Sequence, residues 1–127
     1  MLQVETYLDK TERGDIGLYA SNDISKGTIV WRYDHTFIKQ YTNIDLHLMN
    51  EIERSFVKKY AYLYENLWIL CLDNSRFINH CDDSNLHDDN TEHGNTVAAR
   101  DIKADEELTC NYYSFDAATE SKLHNKF

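Results

Sequence analysis

The chain has 127 residues, 42% of them hydrophobic and 28% charged, which is enough apolar surface for a single core of ordinary domain size. A formal net charge of −9 excludes a general nucleic-acid binder, which needs cationic surface to displace counterions from phosphates, and favours a basic partner. The longest apolar run, Leu67 to Leu72, is far shorter than a bilayer span, and Met-Leu-Gln-Val-Glu at the start lacks the basic-then-apolar pattern of a secretion signal. Cys71, Cys81 and Cys110 are widely spaced and odd in number, so neither a disulfide framework nor a paired Cys-x-x-Cys zinc site is expected, and a reducing, cytoplasmic home is.

Val4 to Leu8 alternates weakly and predicts an opening strand. Asp9 to Gly17 is turn-rich, with Gly14 and Gly17 bracketing Asp15 and Ile16, before Leu18-Tyr19-Ala20 resumes as a short strand. The glycines suit an ordinary hairpin turn, and equally a backbone that a ligand can approach closely. Asp23-Ile24-Ser25-Lys26-Gly27 then reads as a turn into the β-branched and aromatic strand Thr28 to Tyr33. The same sequence of events returns near the other end, where Asp101 and Ile102 take the places of Asp23 and Ile24 ahead of the strand Glu106 to Thr109. Two related β-turn-β units are expected, with the middle of the chain inserted between them.

That middle opens with a helix pattern. Ile44, Leu48, Ile52, Phe56 and Tyr60 recur every fourth residue, Met49 and Val57 widen the stripe, and Thr42 or Asn43 can cap it. The stripe and its aromatics read as core. Tyr60, Tyr62 and Tyr64 alternate and would share one face of a strand, either as sheet packing or as the wall of a channel whose ring faces attract a cation. Glu65-Asn66 turns the chain into Leu67 to Leu72, which delivers it to Arg76-Phe77-Ile78-Asn79-His80-Cys81-Asp82-Asp83-Ser84-Asn85, a stretch that is either a polar corner or a ligand cradle. Asp82, Asp83, Asp88, Asp89 and Glu92 make the following loop acidic, able to steer a Lys-rich or Arg-rich substrate or simply to be solvated. His80, Cys81, His87 and His93 match no tight ligand spacing, and no metal is expected.

Three stretches, in this order, resemble the SET-domain protein-lysine methyltransferases. Gly14-Asp15-Ile16-Gly17-Leu18-Tyr19-Ala20 is similar to that family's Gly-x-Gly-(Val/Leu)-(Phe/Tyr)-Ala segment, Arg76 to Asn85 to its Arg-Phe-x-Asn-His-Ser signature, and Glu106-Glu107-Leu108-Thr109-Cys110-Asn111-Tyr112 to its Glu-Glu-Leu-Thr-Tyr-Asp-Tyr segment. The likeness spans Gly14 to Tyr112 and is greatest to the short stand-alone members of bacteria and some viruses. Asp15 stands where the first glycine of Gly-x-Gly usually stands, Cys81 replaces a serine, and Ser84 a proline.

The resemblance implies a mainly β fold with a helical insertion: a β-clip of small sheets with a carboxyl-terminal pseudoknot, one SET domain over residues 1–127. Its amino-terminal part would be about 1–34, the insertion about 35–66, the carboxyl-terminal part about 67–113, and a closing segment 114–127. It further implies S-adenosylmethionine as cofactor and the side-chain amine of lysine, in a basic histone-like protein, as acceptor. Ile16 and Gly17 would offer backbone groups to the cofactor, Asn79 would hold its methionine portion, and His80 would meet the adenine through backbone atoms. Arg76 and Phe77 would flank that contact, and Tyr62 would touch the cofactor carboxylate or wall the lysine channel. Tyr64, Trp68 and Cys110 are further channel candidates, and Phe115, with Phe127, would close the site. Tyr112 is the implied catalytic residue, its hydroxyl fixing the geometry of transfer. Cys110, where the family often has tyrosine or phenylalanine, implies room for more than one methyl. The zinc modules that flank many eukaryotic members are not expected on either side, so the closing segment or a second subunit would complete the cofactor site, which allows a homodimer. A non-catalytic module of the same fold that binds basic tails is the alternative reading, and a Cys-His hydrolase using Cys81 or Cys110 a remote one.

Overall fold

The computed structural model describes residues 1–90 and 94–124; Glu92, His93 and Phe127, on which the sequence reading drew, lie outside them. Strand β1 (Thr6–Lys10) pairs antiparallel with β2 (Ile16–Ala20), Thr6 opposite Ala20 and Lys10 opposite Ile16. The opening strand begins later than the alternation suggests because the first residues are engaged elsewhere. Leu2 bridges to Trp31, and the Gln3 N–H donates to the Val30 carbonyl.

Three further small sheets follow. Strand β3 (Ile29–Trp31) lies against β9 (Thr96–Ala98), which in turn pairs with β8 (Leu86–Asp88). Strands β4 (Ile38–Tyr41) and β5 (Tyr62–Tyr64) flank β6 (Leu67–Cys71), all antiparallel. Strand β7 (Asn79–His80) runs parallel to β10 (Thr109–Cys110), which brings the polar signature beside the segment leading to Tyr112.

The recurrence read from the sequence is a structural pair. Ile24 and Ile102 exchange both backbone hydrogen bonds, at 2.7 and 2.8 Å. The Lys26 N–H donates to the Asp101 carboxylate and, reciprocally, the Ala104 N–H to that of Asp23. The Gly27 N–H donates to Ala98 O, and its counterpart, the Asp105 N–H, to Ala20 O. Gly27 and Asp105, at equivalent places, both have positive φ, +87° and +69°. The two units are thus related by a pseudo-two-fold axis, and their apolar residues Leu18, Ile24, Val30, Leu86, Ile102 and Leu108 form one core.

The insertion departs from expectation. Instead of one helix there are two, α1 (Asn43–Leu48) and α2 (Glu51–Tyr60). Thr42 and Asp45 form a capping box on α1. Asn50 ends it by capping α2, its side chain accepting from the Glu53 N–H at 2.9 Å, and Arg54 folds back to donate to Leu46 O and Met49 O. The inward residues are Leu46 and Val57, which join Ala61, Trp68, Leu70 and Ala118 in a second core. Ile44, Leu48, Ile52 and Phe56, read as core from their spacing, face solvent. No helix among the described residues is long and apolar enough to cross a membrane.

Candidate functional site

Strands β5 and β6 alternate sides, and this decides what they present. Tyr62, paired with Ile69, and Tyr64, paired with Leu67, line a cavity of about 390 Å³. Leu63 and Trp68 are paired on the other face. Trp68 is therefore not a channel residue: it is buried in the second core, and its indole N–H donates to Asn43 Oδ1 at 3.1 Å. Tyr60, read both as the end of the helix stripe and as the start of the strand face, ends α2, and its ring packs edge-on against Phe77 at the edge of the cavity. The cavity's remaining aromatic wall includes Trp31 and Tyr33, 6.3 Å apart and edge to face, which the sequence reading passed over. Their spacing in Val30-Trp31-Arg32-Tyr33, two residues apart in an extended run, was the available signal.

Tyr112 and Cys110 also line the cavity. The Tyr112 hydroxyl donates to the Ile78 carbonyl, its backbone N–H donates to His80 Nδ1 at 3.1 Å, and its ring lies 5.4 Å from that of His80 and 5.8 Å from Phe115. Because Nδ1 accepts, Nε2 of His80 carries the proton and donates to Asp82 at 2.9 Å. The imidazole is thus a brace between two segments, and a Cys-His pair with Cys81 is not assembled. Burial raises the pKa of both Tyr112 and Tyr62 well above that of a free phenol, so both hydroxyls are neutral donors near pH 7. Burial likewise pushes the Cys110 thiol up to about 12, the opposite of an activated nucleophile.

Ile16, Gly17, Asn79 and His80 lie outside the cavity's lining and form a cradle of their own. The Asn79 amide donates to Ile16 O at 3.0 Å and to Glu107 at 2.8 Å, tying the β1–β2 turn to the carboxyl-terminal segment. A Cβ at Gly17 would sit 2.6 Å from Glu107 Oε2 and 2.9 Å from Thr11 Cγ2, so a larger residue there would have to displace these side chains. Asp15 spends its carboxylate within the turn, accepting from the buried Thr11 hydroxyl and facing Arg13, while Gly14 supplies the positive φ of +92°. Asn85 mimics a strand, donating to Glu107 O and accepting from the Thr109 N–H. Arg76 stacks 4.8 Å over Phe77 and also lines the cavity. Its Nε and the Nε1 of Trp31 are buried donors without a partner among the described residues, an arrangement that suits a ligand bearing acceptors.

The family model for the SET domain matches residues 15–113. The chain belongs to the SET-domain family. Its fold is similar to that of a Plasmodium falciparum protein assigned to the histone methyltransferases, with 23% identity over 87% of this chain and 95% of that one and a TM-score of 0.59. It is also similar to part of the Chaetomium thermophilum Polycomb Repressive Complex 2 bound to GSK126, at 27% identity and TM-score 0.67, covering 96% of this chain but 17% of the other. The same complex in an autoinhibited conformation bound to S-adenosylmethionine matches at 24% identity and TM-score 0.67, over 97% of this chain and 17% of that one. The chain matches none of the curated proteins.

In this SET domain the segment after Tyr112 closes the cavity. Phe115 packs edge-on against Tyr62 at 5.5 Å, and α3 (Thr119–His124) follows. Asp116, buried, accepts from the backbone N–H groups of Leu63 and Ala118 and pairs with the Lys122 ammonium, which also donates to Ala61 O. This latch holds Lys122 in the cavity wall, 5.7 Å from the Tyr112 ring centroid. Neither Asp116 nor Lys122 stood out in the sequence. Asp88 lines the cavity, whereas Asp82 is exposed. Among the described residues no three His, Cys, Asp or Glu side chains converge to hold a metal.

Proposed function

We propose that this SET domain is a protein-lysine N-methyltransferase that uses S-adenosylmethionine. The observation that carries the reading is the position of Tyr112: its ring walls the tyrosine-lined cavity, while its backbone is fixed to His80 at the edge of the Ile16–Gly17–Asn79 cradle. The solved relatives support it, one bound to S-adenosylmethionine and one assigned to the histone methyltransferases.

The residues present fit the cofactor. The Ile16 and Gly17 backbone, the Asn79 amide and the His80 backbone would hold it, with Arg76 and Phe77 flanking, Phe115 closing, and Tyr62 and the unpartnered Arg76 Nε at hand for its carboxylate. When bound, it supplies a methyl group on a sulfonium for in-line displacement by an amine. Tyr112, neutral at pH 7, orients that displacement through its hydroxyl and takes no proton. Tyr33, Tyr62 and Tyr64 present ring faces that guide a lysine side chain and exclude water, and the apolar wall favours the neutral amine that must attack. Asp88 beside the cavity and the acidic surface suit a Lys-rich, histone-like protein as substrate. The small Cys110 leaves space for more than one methyl on the product.

Calorimetry with S-adenosylmethionine tests the assignment, and absence of binding by the folded chain at millimolar cofactor defeats it. Transfer of labelled methyl to Lys-rich proteins should then be lost in Tyr112→Phe with cofactor binding kept. Product that stops at monomethyl-lysine would contradict the role given to Cys110. The second reading, a SET-fold module that binds basic tails without turnover, draws on Asp15, whose carboxylate is committed to the turn where the family has glycine. It predicts tail binding that survives Tyr112→Phe and shows no transfer by the wild type.

A further inference from the structure

We infer that the outward face of α1 and α2 is a homodimer surface, with two copies of α2 packed antiparallel about a two-fold axis at Ser55. A helix laid on a domain ordinarily turns its apolar stripe inward. Here the inward positions are Leu46 and Val57, and the every-fourth stripe is bare: Ile44 is 72% exposed, Leu48 78%, Ile52 83% and Phe56 46%. Apolar residues gathered at this density on a surface mark an interaction site.

The charge pattern of α2 says what covers it. Glu51, Ser55 and Lys59 stand one turn apart along one row of the helix, beside Ile52 and Phe56. Setting two such helices antiparallel with Ser55 on the axis places Glu51 of each against Lys59 of the other and lets Ile52 and Phe56 of both copies pack between these pairs. The row is thus complementary to its own reverse, as a two-fold contact requires. The small Ser55 side chain lets the backbones approach. Elsewhere the net charge of −9 makes two copies repel, but α2 carries Glu51 and Glu53 against Arg54, Lys58 and Lys59, so they meet there without that penalty. Lys59 and Tyr60 also line the tyrosine cavity, so the contact would brace that wall from outside. None of this depends on methyl transfer.

Sedimentation of the full chain at micromolar concentration should give twice the 15.0 kDa of one chain. Ile52→Glu with Phe56→Ser should give monomers with unchanged far-ultraviolet dichroism, since both residues are exposed. Glu51→Lys alone, which sets lysine against lysine at both ends, should weaken the dimer about tenfold or more, and adding Lys59→Glu should restore it. A monomeric wild type, a dimer that survives the apolar double substitution, or a charge swap that fails to restore association would each overturn the inference.

Discussion

Replacing Lys122 by Met keeps an unbranched stem of similar length and removes the ammonium that latches the carboxyl-terminal segment to β5. The Asp116 carboxylate, 1% exposed, would retain only the backbone N–H groups of Leu63 at 3.0 Å and Ala118 at 2.9 Å. Stranding one member of a buried ion pair costs roughly 3–5 kcal/mol, and the two remaining donors place this case at the lower end, about 3 kcal/mol. Against a total stability on the order of 5–15 kcal/mol, that loss is large. With a urea dependence of about 1–3 kcal/mol per molar, the unfolding midpoint followed by tryptophan fluorescence should fall by about 1–3 M. Asp116→Asn strands the ammonium instead, leaving it Ala61 O, and should cost a similar amount. The double variant strands neither charge and should recover to within about 1 kcal/mol of the wild type. Additive losses in the double variant, or a Lys122→Met midpoint equal to that of the wild type, would refute the latch.

Because burial raises the Tyr112 pKa above its ordinary 10, its hydroxyl stays a donor as the acceptor amine loses its proton; the transfer rate should rise with pH to about 10 with no descending limb before it. In the native protein at pH 8, a maleimide should label Cys81 alone, because Cys71 and Cys110 are buried with raised pKa values; intact-mass spectrometry should show one adduct before unfolding and three after. Gly17→Ala forces a methyl to within 2.6 Å of Glu107 Oε2 and should cost about 1–3 kcal/mol in stability and weaken cofactor binding in calorimetry. Adding Glu107→Ala should recover part of the stability, and no recovery would mean that Thr11 sets the limit.

The three polar stretches were legible because their chemistry is carried by residue types at fixed spacing, and Asn79, His80 and Tyr112 do come together through the parallel β7–β10 pair. The Asp-Ile recurrence was legible for the same reason. Trp68 falls on the opposite face because the two-residue turn Glu65-Asn66 sets Tyr64 against Leu67 and Leu63 against Trp68, a change of side that spacing counted along the chain does not reveal. The stripe from Ile44 to Phe56 faces solvent, which the sequence did not reveal because every-fourth spacing describes a face without saying what lies against it. Asn50, with Glu53 three residues on, was a start signal in the middle of that stripe and marked the break. The Asp116–Lys122 pair could not be found in this way, since two charges in a polar tail look like surface until burial joins them.

The reciprocal pairing of Ile24 with Ile102 bears on how the molecule forms. Closing a loop of about 80 residues costs about 4 kcal/mol of chain entropy before any contact repays it. The helices of the insertion and the β4–β6–β5 sheet depend on nearer contacts and can organise first, whereas the clasp waits for the last quarter of the chain. Glu107, Cys110, Tyr112 and Phe115 all follow the clasp in sequence. A chain still emerging during synthesis therefore lacks the part of its cavity wall that Cys110, Tyr112 and Phe115 supply, and the site becomes competent in the same step that commits the whole fold.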